Sequence, residues 1–174
     1  IEDEEVSKIV ERSFKKQGIT IYTGHKTTSV EKTKSGIKAQ IVPANDDKGK
    51  SVTIEADKVL LAVGVEGVYD GLFGEEKVPI AVEKNHIKVD YRKPGATYET
   101  SVKGIYAVGD VIGPPWLAHV ASEEAITCVE RIAGHHVVDI DYNAIPGCTY
   151  CYPQVASLGK TEQALKKEGV KYNV

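Results

Sequence analysis

GIYAVGDVIGPPWLAHVASEEA, residues 104–125, carries an apolar run into a Gly-Asp pair and then, through two prolines, into a helical pattern. Gly104 to Gly109 shows no polar alternation, which predicts a short strand buried on both faces with glycine at its carboxyl end. Beyond Pro114 and Pro115, the residues Leu117, Ala121, Ala125, Cys128 and Ile132 mark one helical face, and Gly134 stops the pattern. Ligands of open α/β sheets bind beyond the carboxyl ends of strands, which is where Asp110 falls. Lys58 to Gly64, KVLLAVG, repeats the first half of the pattern and predicts a second buried strand.

Toward the N-terminus, Val6, Ile9, Val10 and Phe14 predict a helix. Asp3, Glu4 and Glu5 fall in its first turn, Lys15 and Lys16 in its last, and Gly18 just past its end. Ile19 to Tyr22 alternates as a strand. Thr27 to Glu31, Gly36 to Val42 and Ser51 to Ile54 read as an antiparallel meander, with breaks at Lys34-Ser35-Gly36 and Asn45-Asp46-Asp47-Lys48-Gly49. Residues 65–102 are loop-rich. The tail predicts a strand over Cys148 to Tyr152 and a helix ending at Glu168, with Thr161 as N-cap and Gly169 as stop.

Of 174 residues, 41% are hydrophobic, enough for a real core. A net charge of -3 and a pI near 6.0 provide no positive field for nucleic acid or an anionic membrane. No run of 18 apolar residues occurs, and the start is an acidic amphipathic pattern rather than a signal peptide, so a cytoplasmic setting is expected. Three cysteines, Cys128, Cys148 and Cys151, are too few for a secreted disulfide framework. The chain opens inside a helical pattern without Met and closes on GVKYNV without a stop signal, and so reads as a fragment.

A carboxylate at Asp110 can accept hydrogen bonds from a polyol or ribose hydroxyl. The helix that follows offers N–H groups at Leu117, Ala118 and His119, with the positive end of its dipole. A flavin ring gains negative charge at one edge on reduction, and a helix N-terminus aimed there would raise its electron affinity. The other reading of the same residues is a plain turn followed by a core helix.

GIYAVGDV, LAHVASEEA, ADKVLLAVG and IPGCTYCYPQVASLGKTEQALKKEG resemble the pyridine nucleotide-disulfide oxidoreductases, and among them the branch that oxidises dihydrolipoyl groups. The resemblance implies an α/β fold: part of a FAD/NAD(P)-binding, Rossmann-like, three-layer disulfide reductase with an antiparallel β-meander. It implies the end of an NAD-binding domain over 1–64, a central FAD-binding part over 65–138 and the start of a dimerisation domain over 139–174. Asp110, following Gly109, would bind the flavin ribitol, and the backbone at Leu117, Ala118 and His119 would face the flavin. Gly64 would allow close approach of nicotinamide. FAD and NAD are the implied cofactors. The implied partners are a second copy in a homodimer and the lipoyl-bearing components of 2-oxo acid dehydrogenase or glycine cleavage systems, with no nucleic acid and no membrane. Val65-Glu66-Gly67 stands where the family often carries Arg and Pro, and Cys151 and Gln154 stand where Thr and Glu are usual.

No catalytic residue is assigned. The sequence has no GxGxxG and no cysteines spaced by four residues, and no His-x-x-x-x-Glu is read as an acid/base pair, so the chain alone is expected to be inactive. Alternatives are another flavin reductase of this architecture, such as a soluble transhydrogenase or NADH oxidase, or a non-catalytic folding or interaction module. Cys148 and Cys151, on opposite faces of a strand, would be too far apart for a disulfide, and a zinc site would need two more ligands. His135-His136 reads as solvated loop. His119 reads as a positioning or packing residue, and Trp116 as a wall of the site or a cover for the prolines. Glu123 and Glu124, adjacent on a helix, do not share a face and form no dyad. They are expected to favour the helix dipole, with Glu124 toward the dimer or cofactor side.

Overall fold

The computed structural model describes residues 2–46, 49–72 and 78–174. Helix α1, Glu4–Lys16, has Glu4 and Glu5 at its positive end and Lys15 and Lys16 at its negative end. Gln17 caps it and Gly18 follows at φ +85°, as the sequence predicts. Ion pairs Lys8–Glu4 (3.3 Å) and Lys15–Glu11 (2.6 Å) line its exposed side at i,i+4 spacing.

The expected meander is present: β1 (His25–Lys32), β2 (Ile37–Pro43) and β3 (Val52–Ala56) pair antiparallel in that order. Lys32 faces Ile37 across the first turn, and Ile41 faces Val52 across the second pair. The register slips between Thr27 and Ser29, and the Thr28 hydroxyl donates to the Gln40 carbonyl at 3.2 Å. β2 lies in the middle and buries both Ile41 and Val42, neighbours that point to opposite faces. Asp47 and Lys48, in the loop read from Asn45 to Gly49, lie outside the described residues.

The chain divides into two compact units, Ile1–Val63 with Thr149–Val155, and Gly64–Cys148 with Ala156–Val174. Within the first, Ser13 Oγ and Gln17 Nε2 donate to the Tyr152 carbonyl at 2.9 and 3.0 Å, tying the end of α1 to residues 149–155. In the second, β4 (Val82–Glu83) and β5 (His86–Ile87) make a hairpin. Lys84 and Asn85 both take positive φ (50° and 61°) at its tip, the turn whose twist matches paired strands. Ile87, Tyr98, Ala107, Ile112 and Cys128 form the core of this unit.

Helix α2, Ala118–Ile132, ends before Gly134 as expected, but its inward stripe is turned from the expected one. Val120, Glu124, Thr127 and Cys128 are buried, whereas Ile132 is 55% exposed. The apolar pattern missed this because two of the four inward residues are polar. Helix α3, Glu162–Glu168, has the expected cap: Thr161 Oγ1 accepts from the Ala164 N–H at 3.2 Å, and Gly169 takes the left-handed conformation. β6 (Gly147–Thr149) pairs with β7 (Val155–Ser157) and is shorter than the strand expected to reach Tyr152, because residues 151–153 bend.

Three expected strands do not form. Ile19 to Tyr22 and Lys58 to Gly64 have no ladder partner among the described residues. Leu60, Leu61 and Val63 are 79–89% exposed. Gly104 to Gly109 is reduced to one antiparallel bridge, Glu99 to Tyr106, although Ala107 and Gly109 are buried. A strand covered on both faces requires flanking strands and a layer on each side, and the described residues supply neither to 58–64. Among them no helix is long and apolar enough to cross a membrane.

Candidate functional site

Gly109 opens a 3₁₀ turn, Gly109–Ile112, that leads toward α2. Its φ is +77°, and a Cβ there would lie 3.1 Å from the Cβ of Ala121, so both backbone conformation and helix contact demand glycine. The Gly109 N–H donates to Glu124 Oε2 at 2.7 Å. Ala121 and Glu124, three apart on α2, thus face the same residue. Asp110 follows with an exposed side chain, and among the described residues no donor reaches its carboxylate. Its carbonyl accepts from the Gly113 N–H at 3.2 Å, closing the turn.

Behind the turn lies a chain of three groups. Tyr142 donates its phenolic proton to Glu124 Oε1 at 2.7 Å, and the Tyr98 hydroxyl lies 3.2 Å from that of Tyr142. With the Tyr142 proton committed to the carboxylate, Tyr98 is the donor in the second bond. Burial, then the bonds to Tyr98 and to Glu124, push the Tyr142 phenol far above its ordinary value; burial likewise raises Tyr98. Glu124, expected toward the dimer or cofactor side, is 2% exposed and lies outside the apolar stripe that the sequence predicts. Its signal was the spacing Val120-Glu124-Cys128, one inward stripe at i,i+4.

Leu117 is the N-cap of α2 in extended conformation and has no side-chain acceptor, so no side chain caps the helix. Ala118 and His119 are exposed in the first turn. The N–H expected to be free at Leu117 is not, since it donates to the Pro115 carbonyl at 3.0 Å. His119 Nε2 donates to the Pro146 carbonyl at 3.2 Å. His119 and Glu124 do have His-x-x-x-x-Glu spacing, but they form no pair: five residues turn the helix about 140°, and each binds a different partner.

The approach to α2 is held from residues 86–92. Tyr91 Oη (3.1 Å) and the Arg92 guanidinium both donate to the Pro114 carbonyl. Trp116 stacks on His86 with centroids 5.9 Å apart, and its indole N–H donates to His86 Nε2 at 3.3 Å. His86 carries its proton on Nδ1, which donates to the Lys84 carbonyl at 2.7 Å. Gly64, expected to permit a close approach, is exposed, and a Cβ there would meet nothing within 4 Å. A close contact is found three residues on instead, at Gly67, where a Cβ would meet the Asn85 carbonyl at 2.8 Å and that of Val111 at 3.2 Å. Gly109, Asp110, Leu117, Ala118 and His119 thus lie along one turn and the start of one helix, with Gly64 apart in sequence, in open space at φ +129°.

Cys128 is buried, Cys148 exposed and Cys151 partly covered, with the Cys151 thiol donating to the Pro153 carbonyl at 3.0 Å; all three are free thiols. Among the described residues no group of three His, Cys, Asp or Glu could hold a metal. His135 and His136 lie exposed in the loop after α2, as read.

A Gly-Asp turn backed by a helix, following a meander, is an arrangement shared with a known class. Residues 1–125 match the pyridine nucleotide-disulphide oxidoreductase family, and the chain belongs to it. It is 43% identical to dihydrolipoyl dehydrogenase 2, mitochondrial, of Arabidopsis thaliana over 173 residues, which is 99% of this chain and 32% of that protein. It is 42% identical to dihydrolipoyl dehydrogenase of Rhizobium etli, over 97% of this chain and 34% of that one. LpdA from Mycobacterium tuberculosis shares the fold, with a TM-score of 0.80 at 24% identity over 98% of this chain and 34% of that chain. The chain spans about a third of the length of the curated relatives it matches.

Proposed function

We propose that this chain is part of a dihydrolipoyl dehydrogenase, a flavoprotein that oxidises protein-bound dihydrolipoyl groups with NAD as acceptor, and that residues 109–119 form the ribitol and ring-edge half of its FAD seat. The observation that carries this is the exposed, unpartnered carboxylate of Asp110 beside the uncapped first turn of α2, in a chain 43% identical to such an enzyme. The residues fit the group: a free carboxylate accepts hydroxyl protons, and an uncapped helix N-terminus favours a carbonyl or anionic edge. Bound FAD would supply the two-electron carrier. Asp110 would accept from a ribitol hydroxyl, and Gly109 would keep the backbone against α2. Ala118, between Leu117 and His119, would direct its N–H at the flavin carbonyl.

The same reading assigns 1–64 to the end of the NAD domain, with Gly64 toward the nicotinamide, 65–138 to the FAD part and 139–174 to the dimer-forming segment. It makes the parent a cytoplasmic homodimer serving lipoyl-bearing 2-oxo acid dehydrogenase or glycine cleavage components. The diphosphate fingerprint and the redox cysteine pair are not in this sequence, so these residues bind and orient rather than turn over substrate.

The test is a titration of the chain with FAD, followed by the fluorescence of Trp116, two residues from Ala118. Saturable quenching in the wild type that is lost in Asp110→Ala is the expected result. Equal quenching in both proteins, or none into the high micromolar range, overturns the seat.

A further inference from the structure

Glu124 is the one charged side chain buried among the described residues, and no cation pairs with it there. Desolvating a carboxylate is costly unless hydrogen bonds replace its water. Its two oxygens are held by a backbone N–H, from Gly109, and a phenol, from Tyr142. The first N–H of a helical turn has no acceptor within the turn. Glu124 supplies that acceptor from a neighbouring helix, at the residue immediately before Asp110. Tyr98 donates to Tyr142 through its side chain, and its carbonyl accepts the Ala107 N–H at 3.0 Å, two residues before Gly109. A closed ring of bonds therefore runs from residue 107 through Tyr98, Tyr142 and Glu124 back to residue 109.

We propose that Glu124 is a positioning residue for the cofactor. It fixes the Gly109 N–H and thereby the direction of the Asp110 carboxylate, while Tyr142 orients Glu124 and so links the segment after residue 138 to the cofactor turn. This rests on the reading of Asp110 given above and adds the group that sets its geometry.

Two readouts on the full chain separate the claims: FAD affinity, and the hydrogen-exchange rate of the Gly109 amide, which needs no cofactor. In Glu124→Leu, which fills the space without an acceptor, FAD binding is expected to weaken about tenfold and Gly109 exchange to quicken by a similar factor, the loss of one buried hydrogen bond. Glu124→Gln is expected to restore both to within about twofold, since its amide oxygen accepts from Gly109 while its amide nitrogen donates to Tyr142. Tyr142→Phe, which leaves Glu124 in place, is expected to weaken FAD binding by a smaller factor, and it carries the test if Glu124→Leu does not fold. Wild-type FAD affinity in a folded Glu124→Leu, or in Tyr142→Phe where that variant stands in for it, overturns the proposal, as does unchanged Gly109 exchange. Failure of the wild type to bind FAD overturns the flavin-seat reading instead, and the exchange rates still report whether Glu124 holds the turn.

Discussion

Two donors converge on Asp139. The Arg131 guanidinium, which also donates to the Ala96 carbonyl, donates to its carboxylate, and the Gly95 N–H lies 3.1 and 3.2 Å from its two oxygens. The bond from Arg131, then that from Gly95, holds the Asp139 carboxyl below the usual carboxylate range. A folded-state value below the unfolded one contributes stability that is present above the unfolded pKa of about 4 and is lost as pH falls through the folded value. Asp139→Asn should therefore lower stability at neutral pH and flatten its decline between about pH 5 and pH 2. Urea midpoints of the two proteins across that range are the check, and parallel curves would show that the clasp contributes nothing. Cys128 illustrates the opposite case, a thiol raised chiefly by burial in the core, against which the charge of Arg131 works only in part.

Helix α3 has seven residues, a length at which the cost of nucleation weighs heavily against the helix. Its start depends on one side-chain bond, Thr161 to Ala164. Thr161→Ala is expected to cost about 1 kcal/mol, read as faster amide exchange over residues 162–168, with the meander unchanged. Exchange unaltered in that segment would show that α3 is held by its packing and not by its cap. α1 has no fully buried residue, and Val6, Val10 and Phe14 line an open groove together with Ile21 and Val155. Its ion pairs lie on an exposed side, where such pairs contribute little.

Val59, Leu60, Leu61, Val63 and Val65, close together in sequence, all present apolar side chains to solvent. Leu60 and Leu61 are 89% and 79% exposed, so Leu60→Lys combined with Leu61→Glu is expected to change folding stability by less than about 0.5 kcal/mol. Exposed apolar runs drive association, and the same double variant should reduce concentration-dependent light scattering. A loss above about 1 kcal/mol would mean that the run packs in solution. The same segment reads in sequence as a fully buried strand. Its composition is suited to a central strand, whereas the described residues surround it with no sheet.

Local signals were legible before any coordinates. The acidic start and basic end of α1, the Thr161 cap, the stops at Gly18, Gly134 and Gly169, and the alternation of the meander act within one or two turns of chain, so their causes lie in adjacent residues. The order of motifs around Gly109-Asp110 likewise sufficed to indicate the family and the candidate turn. What sequence could not settle is which distant groups meet: that Glu124 turns inward to Gly109, that Tyr142 and Tyr98 line up behind it, that Gly67 rather than Gly64 bears the close contact, and that residues 58–64 lie uncovered. Each depends on partners 15 or more residues away, or on partners that are absent among the described residues. Hydrogen bonding and burial at such separations are fixed by how the chain packs, and packing leaves no periodic mark on the residues themselves.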